Sequence, residues 1–508
     1  MRRAALAAFP SLLAAYPTLS LAAGSAAEFS PWELALLLLL VLLAAALLHL
    51  GVYALLRGRA RPAAVSLVAA ALVGWIFCSN LLLDRVAEPL ARTPLRVAIP
   101  AGVAAAAWWA VRSRANPVGL ARFCAVFTAA LVLFPTAALA RELYRFSAGP
   151  VVEGGAGPAA AFARSGAAAA ARGRPDVYLI VLDQYGDSGV LRDQLGFSNR
   201  AFEDSLRAMG FTIPRVSRSN YAWTAQSLAS MLNMEHLPVL ARGVDPEERS
   251  NHHLYRLVHG NRVSRVLKEH GYRVYFQPGL RWWGTGRNDA ADSVYGVPSG
   301  IRGLLARSAL GPYVLATTVP GRLLHRAGFR SPVDAANVEA LRSVPEVAPR
   351  PGPKFVFLHS MIAHPPYRFD ASCGEGARST AEREYVEQIR CANRLLLATV
   401  GEILRRSPEP PVILLQADHG PRLPRNEPAG DGPLTPAQVQ DRFGAFAAYH
   451  LPGGGADALP DTVTPVNLFR IVLNRYLGAG LPLRADDMYY SRAHGMYRFA
   501  RVPPEGAR

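Results

Sequence analysis

Apolar positions are spread unevenly along this chain. The long apolar runs fall almost entirely within the first ~145 residues, and five stand out: 4–23, 33–56, 62–83, 95–111 and 118–140. Each is near the ~20 residues that a helix needs to cross ~30 Å of hydrocarbon. The pattern therefore predicts a five-helix transmembrane anchor over residues 1–146. The fourth run is short, and the first carries Pro10 and Pro17. That first run also reads as a cleaved signal peptide, because Arg2 and Arg3 precede an apolar stretch that ends in small residues.

The loops between the runs predict an orientation. Arg2, Arg3, Arg57, Arg59, Arg61, Arg112 and Arg114 fall on one side, whereas the arginines of the other side are diluted by acids such as Glu28 and Glu142. By the positive-inside rule the N-terminus is cytoplasmic, and five crossings then put everything after residue 146 outside. Residues 147–174, rich in Ala and Gly and without amphipathic period, read as a linker.

From residue 175 the pattern changes. DVYLIVL (176–182), YRVYFQ (272–277), KFVFLH (354–359) and VILLQA (412–417) are short, nearly continuous apolar runs, as expected of strands buried on both faces of a parallel sheet. Between them, 381–406 and 464–477 have helical spacing, the latter opening on Thr464 and Pro465. This alternation predicts a single α/β domain over 175–508 with a mainly parallel sheet covered by helices.

Composition agrees with that division. The chain has 508 residues, 51% of them hydrophobic and 18% charged, which excludes a disordered chain and a disulfide-dense mini-protein. Its net charge is +17, but Lys268 and Lys354 are the only lysines among 55 Lys+Arg. Arginine in an Ala- and Gly-rich chain reads as codon bias, so the charge does not imply a nucleic-acid partner. Roughly half of the excess lies in the anchor, and the rest suits an anionic lipid or phosphorylated glycan.

Ligands of open α/β sheets sit beyond the carboxyl ends of the strands. Asp183 directly follows the first strand (VLDQYG), and Asp418 and His419 follow a later one (LLQADHG). His359 ends a third run, with His364 five residues on in FLHSMIAHPPY. Carboxylates and imidazoles converging there would suit one divalent metal, Zn or Mn in preference to Ca; a second metal is left open. For a nucleophile, Thr224 stands at the start of a helix-spaced stretch, where a hydroxyl meets unsatisfied N–H groups. Taken alone it reads as an ordinary helix cap, and Ser219, Ser227 and Ser230 are rival hydroxyls.

The motifs LDQYG, SNYAWTAQSLASMLNM, HSMIAHPPY, QADHGP and TPVNLFRIVLNRY occur in this order over about residues 174–500. Together they resemble the sulfatase-like branch of the alkaline phosphatase superfamily. Membrane helices followed by such an external domain are similar in layout to the phosphoethanolamine transferases and lipoteichoic acid synthases. The resemblance implies a helical membrane bundle followed by an alkaline-phosphatase/sulfatase-like α/β domain. It implies metal ligation by Asp183, Thr224, Asp418 and His419, nucleophilic attack by Thr224, a catalytic contact of His364 with the substrate's charged group or leaving oxygen, and a second substrate contact by His359. True sulfatases carry Cys-x-Pro-x-Arg at the nucleophile, where this chain reads Thr224-Ala-Gln-Ser-Leu, so the implied chemistry is phosphoryl transfer. The expected enzyme is a phosphotransferase or ester hydrolase in a bacterial inner membrane, with the catalytic domain periplasmic. Its partner would be a membrane lipid or envelope glycan, and its oligomeric state is open. The competing readings are an ester hydrolase on soluble substrates and a non-catalytic envelope-assembly protein.

Other features have plainer readings. Cys78 and Cys124 lie in apolar runs and read as packing residues. Cys373 and Cys391, 18 positions apart in a compartment that permits disulfides, are a candidate pair. His236, His252, His253 and His494 read as structural or surface residues. Trp282 and Trp283 suit a sugar, the bilayer surface or burial equally, and Arg281 and Arg287 nearby suit a phosphate.

Overall fold

The computed structural model describes residues 2–24, 29, 31–78, part of 98–112, 117–148, 174–278, 284–296, 311–326, 332–429 and 432–503. It divides into two compact units, one of Met1–Gly149 with Pro298–Val333 and the other of Pro150–Val297 with Asp334–Arg508.

The first unit is helical. Two of its helices, Pro31–Leu56 and Val118–Phe146, are long and apolar enough to cross a membrane. Their flanks carry exposed Leu39, Leu43, Leu47, Phe123, Phe127 and Phe134, side chains that hydrocarbon accommodates better than water. The predicted first run forms the helix Arg2–Gly24 around Pro10 and Pro17. The third forms a shorter apolar helix, Pro62–Cys78. Most of the fourth run, 95–111, lies outside the described residues, as does the linker from 149 to 173. Five spans were expected; among the described residues two helices meet the length and hydropathy of a span.

The second unit is built on twelve strands among the described residues. They are β1 (Val177–Leu182), β2 (Val216–Ser217), β3 (Arg273–Gln277), β4 (Ser293–Val294), β5 (Lys354–Ser360) and β6 (Tyr367–Phe369). The rest are β7 (Glu375–Ser379), β8 (Val412–Ala417), β9 (Ala447–His450), β10 (Thr462–Val463), β11 (Met488–Tyr490) and β12 (Ala500–Val502). Six of them form the main sheet in the order β4-β3-β5-β1-β8-β9. Only the edge strand β9 is antiparallel, so the expected mainly parallel α/β sheet is present.

Because a strand alternates its faces, β1 feeds two cores. Val177, Leu179 and Val181 pack with Leu228, Leu232, Val263 and Phe469, from the helices Thr224–Asn233, Arg262–Glu269 and Pro465–Leu477. Tyr178, Ile180 and Leu182 pack with Phe202, Leu206, Tyr385 and Ile389, from Arg200–Ala208 and Glu382–Arg406. The register between β1 and β5 is pinned at their starts. There the buried Lys354 Nζ lies 2.6 Å from Asp176 Oδ2, and the Lys354 N–H donates to Asp176 Oδ1 at 3.0 Å. That register sets Leu182 beside Ser360 on one flank and Ala417 on the other, so the loops after β1, β5 and β8 leave the sheet side by side.

Cys373 and Cys391 are joined by a disulfide that ties the turn after β6 to the helix Glu382–Arg406. Closing a loop of this length removes about 3 kcal/mol of chain entropy from the unfolded state. Cys373→Ser with Cys391→Ser is therefore expected to lower the melting temperature by several degrees. An unchanged melting curve, with reductant equally without effect on the parent protein, would show that the bridge constrains nothing.

Buried His259 provides a pH test of the same unit. Burial pulls its imidazole down to about 4 from the usual 6.5. The folded state thus refuses a proton that the unfolded chain accepts. The contribution is complete above about pH 6.5 and is lost as pH falls towards about 4. Acid scans of the melting temperature should decline through that window, and His259→Gln should flatten the decline; a variant with the parent's profile would sink the assignment.

Candidate active site

Three loops bring the predicted residues together. Asp183 follows β1 directly, and its N–H donates to the Ser360 carbonyl at 3.0 Å, which holds it against the end of β5. Gln184 then turns with φ 60°, a left-handed conformation, and its N–H donates to Asp418 Oδ1 at 3.1 Å. Tyr385 fixes this turn from the helix beneath, since its hydroxyl donates to the Gln184 carbonyl and accepts from the Gly186 N–H. After β8, Asp418 Oδ1 also accepts the His419 N–H at 2.8 Å. Gly420 is required next, because a Cβ there would stand 2.0 Å from the Asp441 carbonyl oxygen.

Thr224 arrives from the opposite side as the first residue of the helix Thr224–Asn233. The capping position belongs to Trp223, whose backbone is extended, so the cap reading of Thr224 does not hold. Its hydroxyl is free of that duty and points into the site, with Oγ1 3.4 Å from Asp183 Oδ2 and 3.1 Å from His419 Nε2. The rival hydroxyls are occupied elsewhere. Ser219 and Ser227 donate to the Tyr221 carbonyl, and Ser230 donates to that of Glu235.

Ligand atoms of Asp183, Asp418 and His419 all lie within 4.8 Å of one another, and all three side chains are buried. Asp183 Oδ1 and Asp418 Oδ2 are buried without a hydrogen-bond partner. Burying unpaired carboxylate oxygens is costly. The donor set therefore fits a divalent cation, which would neutralise both acids and satisfy both orphaned oxygens. His419 is prepared for the same role. Its Nδ1 lies 2.9 Å from the Gly420 carbonyl, which can only accept, so in the neutral ring Nδ1 carries the proton and Nε2 offers a lone pair.

The electrostatics are polarised. Burial raises the Asp183 carboxyl, but the charge of His364, the hydrogen bond and charge of His359 and the charge of His419 outweigh it and leave it down at about 2. Asp418 is pushed up, first by burial and then by the charge of Asp183. Two carboxylates that cannot comfortably ionise together are what a bound cation resolves.

His364 and His359 separate in position. His364 is half-buried in the turn after β5, where Nδ1 lies 2.5 Å from the Pro365 carbonyl and the Gln388 amide donates to its own carbonyl. It is the histidine whose charge acts most strongly on Asp183. His359 is wholly buried within β5, with Nε2 3.2 Å from Asp183 Oδ2 and Nδ1 2.9 Å from Thr285 Oγ1. It lies against Asp183, away from solvent, whereas His364 is half-buried.

Sequence reasoning missed Thr285, Gln184 and Tyr385, each of which acts through a contact across more than 70 residues of chain or through a backbone turn. No local pattern marks them. His494 is exposed, while His236 and His253 bond the carbonyls of Ala485 and Leu240. Arg287 pairs with Asp289, and Arg281, Trp282 and Trp283 lie outside the described residues.

No family model matches the chain, and no curated protein matches it. Several solved structures are similar to it. A protein in the alkaline phosphatase superfamily from Vibrio parahaemolyticus is 12% identical over 63% of this chain and 74% of its own, with a TM-score of 0.40. The phosphonate monoester hydrolase of Agrobacterium radiobacter is 12% identical over 62% of this chain and 80% of its own, at 0.39. The C-terminal periplasmic domain of phosphoethanolamine transferase EptC from Campylobacter jejuni is 12% identical over 63% of this chain and 97% of its own, at 0.37.

Proposed function

We propose that this chain is a membrane-anchored, metal-dependent enzyme that transfers or hydrolyses a phosphate ester of an envelope lipid or glycan through Thr224. The observation that carries this reading is the Thr224 hydroxyl, 3.1 Å from His419 Nε2 and 3.4 Å from Asp183 Oδ2, beside two orphaned carboxylate oxygens. The ordered motifs of the sulfatase-like branch support it independently.

In this reading Asp183, Thr224, Asp418 and His419 hold one divalent cation, Zn or Mn in preference to Ca because an imidazole nitrogen is among the donors. Such an ion supplies Lewis-acid chemistry, lowering the pKa of a bound hydroxyl and offsetting charge on the transferred group. The chain's own residues do the rest. Thr224 Oγ1 gives its proton to solvent water and attacks phosphorus, and the bond from phosphorus to the leaving oxygen breaks. His364 gives that oxygen a proton. The phosphothreonine so formed stands at a helix N-terminus, where backbone N–H groups and the helix dipole favour an anion. In the second half-reaction an acceptor hydroxyl, or water, loses its proton to His364 and displaces Thr224, whose Oγ1 recovers a proton from solvent water. His359 and Thr285 act behind Asp183, holding its carboxylate in place.

Five membrane helices over 1–146 and a periplasmic catalytic domain over 175–508 complete the proposal, with the helices Pro31–Leu56 and Val118–Phe146 as its structural support. Anchoring raises the local concentration of a lipid-borne donor. The deciding experiment is peptide mass spectrometry of protein taken from its native membrane. An adduct on Thr224 identifies both nucleophile and transferred group. An adduct on Ser227 or Ser230 would overturn the assignment, and release of inorganic phosphate without any acceptor being modified would make the enzyme a hydrolase.

A further inference from the structure

An arginine that no motif marks lies beside this site. Arg422 follows His419 by three positions in the turn that leaves β8, with φ 56°, a left-handed conformation unusual for a residue with a side chain. That turn carries its guanidinium over the indole of Trp223, with Cζ 3.8 Å from the ring centroid. Trp223 immediately precedes Thr224, and its indole N–H donates to the Ser491 carbonyl at 2.6 Å, which fixes the ring. One chain segment thus joins Arg422 to the metal-ligand pair, and the residue it stacks on adjoins the nucleophile.

The guanidinium is poorly compensated where it stands. An arginine offers five N–H donors. The Nε of Arg422 is buried without an acceptor. The carboxylate of Glu427 stays 4.0 Å from Nη2, and its Oε2 already accepts from Arg442 Nη2 at 2.8 Å. Burial and then the Arg442 charge work against the cation, offset in part by Glu427, Tyr490 and Asp441. The side chain is nevertheless 21% exposed, and because Nε itself is buried, a ligand would meet the guanidinium at its Nη nitrogens. A planar donor fork held over an aromatic ring, short of acceptors, matches the two oxygens of a tetrahedral oxyanion.

We propose that Arg422, held on Trp223, is a subsite for a second anionic group of the substrate, a phosphate or sulfate carried beside the ester that Thr224 attacks. This rests on the function proposed above in naming the ester, but binding at Arg422 can be read without turnover. Such a subsite would select polyanionic lipids or glycans over neutral esters, because a neutral group cannot pair with the guanidinium charge.

The test uses the full chain in detergent, depleted of metal, with inorganic phosphate as probe and tryptophan fluorescence as readout. A saturable change is expected that disappears in Trp223→Phe. Its midpoint should shift about tenfold or more to weaker binding in Arg422→Gln, with Arg422→Lys between the two because it keeps the charge and loses the fork. The absence of a saturable change in the parent, or an unshifted midpoint in Arg422→Gln with the melting temperature retained, would overturn the proposal. If Arg422→Gln does not fold, Arg422→Lys alone decides, a parent-like midpoint counting against. Titration with short-chain phosphatidylglycerol and with a sulfated disaccharide separates the sources. Whichever binds more tightly in an Arg422-dependent manner names the substrate class, and binding of both that ignores Arg422 refutes the subsite. Because phosphate binding needs no chemistry, activity surviving in Thr224→Ala would remove the proposed function and leave this result standing.

Discussion

Thr224→Ala is expected to lower turnover by about four orders of magnitude while leaving the α/β unit folded. Turnover fails because the attacking oxygen is gone, and no neighbour can replace it. The hydroxyls of Ser219, Ser227 and Ser230 are each bonded to a carbonyl, and all are buried. The fold survives because Thr224 does not cap its helix; that position is held by Trp223. Alanine is also a good first-turn residue. Thr224→Ser should keep measurable activity, since an oxygen remains at the same Cβ. The covalent adduct should be present in the parent and absent in Thr224→Ala. Substantial turnover by the alanine variant, with a parent-like melting curve, would remove the nucleophile from the mechanism.

The second large effect concerns the buried acids. Chelating the metal is expected to lower the melting temperature, and Asp418→Asn is expected to restore part of that loss while lowering activity roughly a hundredfold or more. Asp183 and Asp418 are both buried, with ligand atoms within 4.8 Å. At an effective dielectric constant of ~20, two like charges at that distance repel by about 3 kcal/mol. Without a cation, one acid must take a proton or bear the repulsion, and Asp418 is the one pushed up. An amide removes the conflict at nearly constant shape, so metal-free Asp418→Asn should melt several degrees above the metal-free parent. Adding metal should reverse the order. If chelation leaves the parent's melting unchanged and the variant is no more stable, the acids do not share a cation.

Much of this fold can be read from apolar pattern. The runs at 176–182, 354–359 and 412–417 became β1, β5 and β8, and Asp183 and Asp418 stand directly after strands as their positions imply. Apolar pattern works here because a central parallel strand is covered on both faces and has to be apolar almost throughout. The first, helical unit was less legible. Its runs show where helices form, but a helix can be apolar because lipid surrounds it or because other helices do. The segment Pro298–Val333, between β4 and β5 in the chain, belongs to that unit, and Val314 packs with Ala14, Ala15 and Leu19. No periodicity in the sequence announces that return.

What the sequence by itself determined is therefore the inventory: strand-end acids, two histidines near a third strand end, and a hydroxyl at the start of a helix. Tertiary structure decided which of them meet. Strand order places β5 and β8 on either side of β1, which is a matter of pairing between segments more than 170 residues apart. It also separated Thr224 from three other hydroxyls, set His359 against Asp183 and left His364 nearer solvent, and brought Arg422 onto Trp223. The physical reason is that side-chain roles depend on distance, burial and hydrogen-bond partners. Chain-local pattern carries information about which face of an element is apolar, and none about which distant polar atom will stand opposite.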